Sequence, residues 1–155
     1  NGLMRYNLSH QFNVGWGKYQ SPYFPAKELK SFTDMAHNCV FMTAGFRRTI
    51  GLAGKGDVVY CDPPYEPLPG TSGFTAYSAG GFTWDNQVEL VECCVAAHRR
   101  GASVVISNSV APHVVELYEQ HGFRLHTIPA RRSISCKGST REVAKDLVAV
   151  LEVVE

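Results

Sequence analysis

The chain predicts an α/β fold, and three observations lead to it. From Pro25 onward, short apolar runs of strand length alternate with segments of helical periodicity. The runs at residues 58–61 (VVYC) and 103–107 (SVVIS) are nearly continuous instead of alternating, the pattern of strands buried in a parallel sheet. Glycines stand where the helical patterns stop, at Gly101 and Gly122. Such an order predicts right-handed crossovers with helices on both faces of the sheet.

The elements follow in order. Residues 1–24 carry many aromatics, Asn and Gly without helical periodicity. Alternation in residues 3–7 and 11–14 predicts two short strands around Ser9 and His10, a β-hairpin with polar and basic side chains on one face. Residues 25–37 predict a helix, since Pro25 suits a first turn and Leu29, Phe32, Met35 and Ala36 share one face. Residues 39–43 (CVFMT) predict a buried strand, and residues 45–53 a short helix or turn. Gly51, Gly54 and Gly56 then read as a flexible connection. They precede a strand instead of following one, so they are no dinucleotide fingerprint, and no Ser or Thr follows Lys55 to make a P-loop. The strand at 58–61 ends at Asp62, Pro63 and Pro64, because proline cannot extend a hydrogen-bonded ladder.

Residues 66–82 predict a long loop with its own aromatics, Phe74, Tyr77 and Phe82, of the kind that covers active sites. Thr83 caps a helix running to about Arg100. Val88, Val91, Cys94 and Val95 form its apolar stripe, and Arg99 and Arg100 complement its C-terminal dipole. Strands are expected at 103–107, 123–128 and 147–153, a helix at 112–121, and a basic loop at 129–141.

The 155 residues suffice for one domain with a real core. A net charge of +1 does not mark a nucleic-acid binder, but its distribution is uneven. Residues 1–27 hold Arg5, Lys18 and Lys27 and no acid; residues 124–141 hold Arg124, Arg131, Arg132, Lys137 and Arg141 and no acid. Two acid-free basic segments suit either phosphate contacts or solvated loops. The five cysteines are odd in number and contain no C-x-x-C, which argues against a disulfide framework or a zinc site. Cys39, Cys61, Cys93 and Cys94 lie in apolar runs and read as small core residues. The six histidines show no ligand spacing, so no metal is assigned. No apolar stretch reaches membrane-spanning length and no signal peptide is visible, which fits a reducing cytosol.

Chemistry is expected at Asp62, Pro63, Pro64 and Tyr65. In open α/β sheets, ligands bind beyond the carboxyl ends of the strands. A carboxylate, a rigid turn and an aromatic ring stand at that place.

Asp-Pro-Pro-Tyr after an apolar strand resembles motif IV of the amino methyltransferases that use S-adenosylmethionine. The surroundings narrow this to the Dam family of DNA adenine methylases, the D12 class. Residues 1–7 (NGLMRYN), Phe12, Asn13 and Val14, and Gly17, Lys18 and Tyr19 resemble its DNA-recognition hairpin. Pro22, Tyr23 and Phe24 fit the same pattern, as do Phe74, Thr75 and Tyr77, then Ile106, Ser107 and Asn108, then residues 131–135 (RRSIS).

The resemblance implies a Rossmann-like methyltransferase sheet lacking its N-terminal strands. Residues 1–24 would end a target-recognition region, and residues 25–155 would form the C-terminal part of the catalytic domain. Family members carry a preceding half, with a Gly-rich loop and an acidic residue that bind most of the cofactor, and this chain has no match to either. One sheet edge would then be exposed. The implied activity is methylation of adenine N6 in double-stranded DNA, in GATC, with S-adenosylmethionine as methyl donor. The implied place is the bacterial cytosol or nucleoid, from a host or a phage gene.

The implied roles follow the motifs. Asp62 and the Pro63 carbonyl accept the two N6 hydrogens, Pro64 stiffens the turn, and Tyr65 stacks on a base flipped from the duplex. No covalent intermediate is required, so Cys61 remains a core cysteine. Asp62 and Phe46 correspond to cofactor contacts. Arg5 corresponds to an arginine that reads guanine, and Leu3 to an apolar contact beside it. Asn7, Asn13 and Lys18 correspond to backbone contacts, and Tyr19 packs on the DNA. Arg131 and Arg132 are further phosphate candidates. Gly15 stands where relatives often have proline, which leaves the outer base preference open. Two other readings stand beside this one. They are a non-catalytic DNA-binding fragment, and an RNA or protein amino-methyltransferase, whose motif more often begins with Asn.

Overall fold

The computed structural model describes residues 6–14, 20–21, 23–68, 81–131 and 143–153. The chain divides into two compact units, residues 1–43 and 44–155.

In the first unit, Tyr6 and Phe12 form a single antiparallel bridge, with their rings edge to face at 6.0 Å. The turn between them is organised by Asn7, whose Oδ1 accepts the backbone N–H groups of Ser9 at 3.0 Å and Gln11 at 2.9 Å. His10 takes the left-handed conformation that this tight turn requires, at φ 57°. One bridge, not two strands, is what the described part of the expected hairpin shows. Helix α1, Ala26–Ala36, forms where the periodicity predicts it, but it buries no residue; Leu29, Phe32 and Met35 are exposed.

The strand expected at 39–43 does not form. Val40, Phe41 and Met42 lie in irregular, exposed chain, and Cys39 is exposed instead of in the core. An apolar run becomes a strand only when a neighbour satisfies its ladder, and this run has none among the described residues. Phe41 instead rests near Phe32 of α1, ring centroids 6.2 Å apart.

The second unit contains α2 (Phe46–Gly51), β1 (Val58–Cys61), α3 (Trp84–Arg99), β2 (Ser103–Ser109), α4 (Pro112–Gln120), β3 (Arg124–Arg131) and β4 (Val143–Leu151). The four strands make one mixed sheet in the order β1-β2-β4-β3. β1 and β2 are parallel, joined through α3, with Val58 opposite Ser103 and Cys61 opposite Ile106. β4 inserts antiparallel between β2 and β3. The sheet is therefore mixed, not purely parallel. β3 also runs further than the expected strand, and β4 starts at Val143 instead of 147, because the two pair along their whole length.

β1 is less buried than its composition predicts. Cys61 is buried, but Val58 and Tyr60 are 71% and 66% exposed, because β1 ends the described sheet and has one neighbour. The core gathers Leu90, Val91, Cys94 and Ala97 of α3 with Val104 and Ile106 of β2, and with Val114, Leu117 and Tyr118 of α4. Val88, Cys93 and Val95 pack against it half-buried.

The cap of α3 is reciprocal. Thr83 Oγ1 accepts the Asn86 N–H at 3.3 Å, and Asn86 Oδ1 accepts the Thr83 N–H at 3.0 Å. At the other end, Arg100 donates to the carbonyls of Ala53 and Ile50, each at 2.9 Å. The Gly56 N–H also donates to the Gly101 carbonyl at 3.2 Å, and Gly54 N–H to Asp57 Oδ2 at 2.9 Å. The glycine-rich connection is thus pinned instead of flexible.

Both predicted helix stops are left-handed, Gly101 at φ 94° and Gly122 at φ 80°. A Cβ at Gly122 meets open space, whereas one at Gly101 would lie 3.0 Å from the Lys55 Cα. Gly122→Ala is expected to cost about 1–2 kcal/mol from conformational strain alone. Gly101→Ala is expected to cost more, since the clash adds to the strain. Thermal unfolding of the two variants side by side measures the difference.

Candidate active site

The carboxyl end of β1 delivers Asp62 beside the carboxyl end of β2. Parallel pairing of Cys61 with Ile106 brings the next residues, Asp62 and Ser107, together. Ser107 Oγ donates to Asp62 Oδ1 at 2.8 Å. It also lies 3.2 Å from the Tyr60 hydroxyl and 3.4 Å from the Cys61 carbonyl. Ser107 is buried at 7% exposure, while Asp62 is exposed. The carboxylate is thus presented to the surface from a buried anchor.

The loop after Asp62 is fastened by a buried polar cluster. Gln87 Nε2 of α3 donates to the Pro64 carbonyl at 2.9 Å. Asn108 Oδ1 of β2 accepts the Glu66 N–H at 3.0 Å and the Ser109 N–H at 2.8 Å. Asn108 Nδ2 donates to Gln87 Oε1 at 3.2 Å and to the Tyr118 hydroxyl at 3.0 Å. Gln87, Asn108 and Tyr118 are essentially inaccessible to solvent. Buried polar groups are tolerated only when satisfied, and here each bond holds either the loop or another member of the cluster. Among the described residues the Pro63 carbonyl accepts no hydrogen bond and is left as an acceptor. Tyr65 is half-buried, and burial pushes its phenol above the usual value while the nearby Ser107 hydroxyl pulls it down.

A groove of about 540 Å³ runs along β1 to Asp62 and Pro63. Phe46, Ile50, Val59 and Phe82 line it, with Phe46 and Phe82 edge to face at 6.0 Å. Phe46 and Asp62 thus border the same groove. Behind it, Cys61 and Cys94 bring their sulfurs within 3.8 Å, and the Cys94 thiol is pushed up by its hydrogen bond to Cys61 and by burial. Glu66 pairs with His113 at 3.3 Å, and the ring of His113 meets Trp84 at 4.8 Å.

Asp62, Pro63, Pro64 and Tyr65 form one continuous loop, and Phe46 joins Asp62 at the groove. Of the hairpin residues, Asn7 organises its turn and Asn13 is exposed. Leu3, Arg5, Lys18, Tyr19 and Arg132 lie outside the described residues, as does most of the loop at 66–82. No group of three or more His, Cys, Asp or Glu among the described residues suits a metal ion. No helix among them is long and apolar enough to cross a membrane.

Sequence reasoning missed Gln87 and Tyr118, and gave Ser107 and Asn108 no role. A signal existed for Gln87. Positions 87, 90, 91, 94 and 97 are the buried stripe of α3, and a glutamine on a buried stripe needs a polar partner inside.

Residues 1–134 match the family described as D12 class N6 adenine-specific DNA methyltransferase. The chain is 52% identical over 151 residues to a DNA N-6-adenine-methyltransferase of Escherichia phage P1, covering 97% of this chain and 20% of that protein. It is 42% identical over 151 residues to a DNA adenine methylase of Vibrio cholerae serotype O1, covering 97% and 54%. It is 41% identical over 150 residues to a DNA adenine methylase of Escherichia coli (strain K12), covering 97% and 53%. The chain therefore spans about a fifth to about half the length of these relatives.

Two consequences of the buried cluster are measurable. Gln87→Met keeps length and apolar volume but leaves the Pro64 carbonyl and one Asn108 hydrogen unpaired. It is expected to lower the unfolding free energy by roughly 1–3 kcal/mol in a urea titration. The Tyr118 phenol is pushed up from 10.0 to about 12 by burial, against the Asn108 bond that pulls it down. A raised folded value means that stability is fully present below pH 10 and is lost as pH rises toward about 12. Tyr118→Phe should remove up to roughly 2–3 kcal/mol of this alkaline loss, read by denaturation across that window.

Proposed function

The chain belongs to the D12 class of N6 adenine-specific DNA methyltransferases, and from that premise we propose that it carries the target-base half of a site that methylates adenine N6 in double-stranded DNA. The observation that carries this reading is the fastening of the Asp62–Tyr65 loop. One Asp62 oxygen accepts Ser107 and the Pro64 carbonyl accepts Gln87. Among the described residues the other Asp62 oxygen and the Pro63 carbonyl remain as acceptors, which suits the two N–H bonds of an amino group.

The chemistry follows from that pair. Adenine N6 is a weak nucleophile because its lone pair is delocalised into the ring. Accepting both hydrogens favours the tetrahedral nitrogen, whose lone pair then points at the methyl donor. Asp62 and Pro63 perform this, proline's fixed φ holds the carbonyl direction, and Tyr65 offers a face for the base once it leaves the duplex. S-adenosylmethionine, when bound, supplies the methyl group from its sulfonium. Phe46 and Asp62 are the residues of this chain that would hold part of it, and the groove they border has the aromatic wall and carboxylate that such a ligand suits. Nothing in the sequence matches the Gly-rich loop and acid that bind the rest of such a cofactor. The sheet is then the C-terminal portion of a Rossmann-like methyltransferase sheet, completed by the preceding half of the same protein.

Leu3, Arg5, Asn7, Asn13, Lys18 and Tyr19 are the proposed DNA contacts, Arg5 reading a guanine of GATC. Residues 1–24 close a target-recognition region, and residues 25–155 belong to the catalytic domain. The proposed place of action is the bacterial cytoplasm, on DNA.

The test is methylation by the full-length protein, read with a nuclease that cuts only methylated GATC. Absence of cutting would overturn the GATC assignment, and transfer of no labelled methyl group to adenine in any duplex would overturn the reading. Asp62→Ala is expected to lower turnover by at least about 100-fold while leaving DNA affinity within a few-fold. Retained turnover would remove the role given to Asp62. Calorimetry with S-adenosylmethionine on the full-length protein beside this chain separates an enzyme, which binds the cofactor when whole, from a protein that only binds DNA.

A further inference from the structure

We infer that Ser107 is a positioning residue of the methyl-transfer site, holding one oxygen of Asp62 so that the other faces the target amine. The inference rests on the function proposed above and concerns a residue to which the motif assigns no role.

The hydrogen-bond inventory of Ser107 carries it. A serine hydroxyl has one proton and two acceptor positions. At 2.8 Å from a carboxylate oxygen, that proton goes to Asp62, which can only accept when ionised. The acceptor positions of Ser107 Oγ are then left for the tyrosine hydroxyls beside it, that of Tyr60 at 3.2 Å and that of Tyr65. The Cys61 carbonyl at 3.4 Å is too long to compete with the charged acceptor. The donation thus runs from the tyrosine hydroxyls into Ser107 and from Ser107 to Asp62. It points toward the carboxylate.

The anchor matters because of where Asp62 sits. Its side chain is exposed, at the start of a loop, where a carboxylate free to turn about its side-chain bonds would offer its two oxygens indifferently. Ser107 is buried in the central part of the sheet, paired through β2 with Val148 of β4. A donor held by sheet pairing on a rigid strand fixes Oδ1, and the planar carboxylate then fixes Oδ2. With the Pro64 carbonyl tied to Gln87, the Pro63 carbonyl is fixed as well. Two acceptors of a near-attack geometry are set before substrate arrives, which is how positioning contributes to rate.

Threonine and valine at this position fill nearly the same volume and differ in the hydroxyl. The comparison of Ser107→Thr with Ser107→Val in the full-length protein therefore holds packing constant. Single-turnover methyl transfer on a GATC duplex, the DNA dissociation constant and the unfolding midpoint are measured for both. Ser107→Val is expected to transfer methyl roughly 10- to 100-fold more slowly than Ser107→Thr, with DNA affinities within about threefold of each other. Equal transfer rates in the two variants overturn the inference, as does a rate loss matched by an equal loss of DNA affinity. A wild-type protein that methylates no adenine instead overturns the function on which the inference rests, so the two failures are distinct.

Discussion

The candidate site depends on the side-chain amide of Asn108. It is wholly buried, and its oxygen and nitrogen make four hydrogen bonds. One reaches the backbone beyond the Pro-Pro turn, one joins Gln87 of α3, one reaches Tyr118 of α4, and one closes on the next residue of its own strand. An amide has two acceptor and two donor capacities, and all four are used. An interior this polar is costly unless complete, and completeness is what ties two helices, one strand and one loop to a common point. The loop's direction is then a property of the core instead of the surface.

The neighbouring residue divides the labour. Asn108 orients the loop's backbone and Ser107 orients its carboxylate; both stand at the carboxyl end of β2, with their side chains on opposite faces. Ser109 is buried as well, so three consecutive polar residues lie inside where an apolar strand would ordinarily continue. Their burial is affordable because each finds partners: Asp62 for Ser107, the Glu66 N–H, Gln87 and Tyr118 for Asn108, and the Ala111 N–H for Ser109. The parallel pairing of β1 with β2 brings the loop of Asp62 and Glu66 to them.

The face of β1 that carries Val58 and Tyr60 has a different character. Val58 and Tyr60 are exposed, Leu52 nearby is 69% exposed, and the groove runs along the same strand. An apolar end strand of this kind is a liability in water unless something covers it. The chain spans about half the length of its bacterial relatives, and the surface has the composition of an interior.

By itself the sequence determined the alternation of elements, the capped start of α3, the glycine stops at 101 and 122, and the strand end at Asp62. Each is a local effect: a side chain capping its own helix, a backbone that must turn left-handed, a ring that cannot donate. The motif's resemblance added which chemistry those residues serve. What only the tertiary structure decided was pairing and burial. An apolar run at 39–43 stays irregular, β1 lies half open, and β4 slots antiparallel between β2 and β3, because a ladder needs a neighbour that no local pattern names. Gln87 and Ser107 acquire their roles for the same reason. A polar side chain inside a core is only as meaningful as the group it meets, and those groups lie 23 and 45 residues away in the chain.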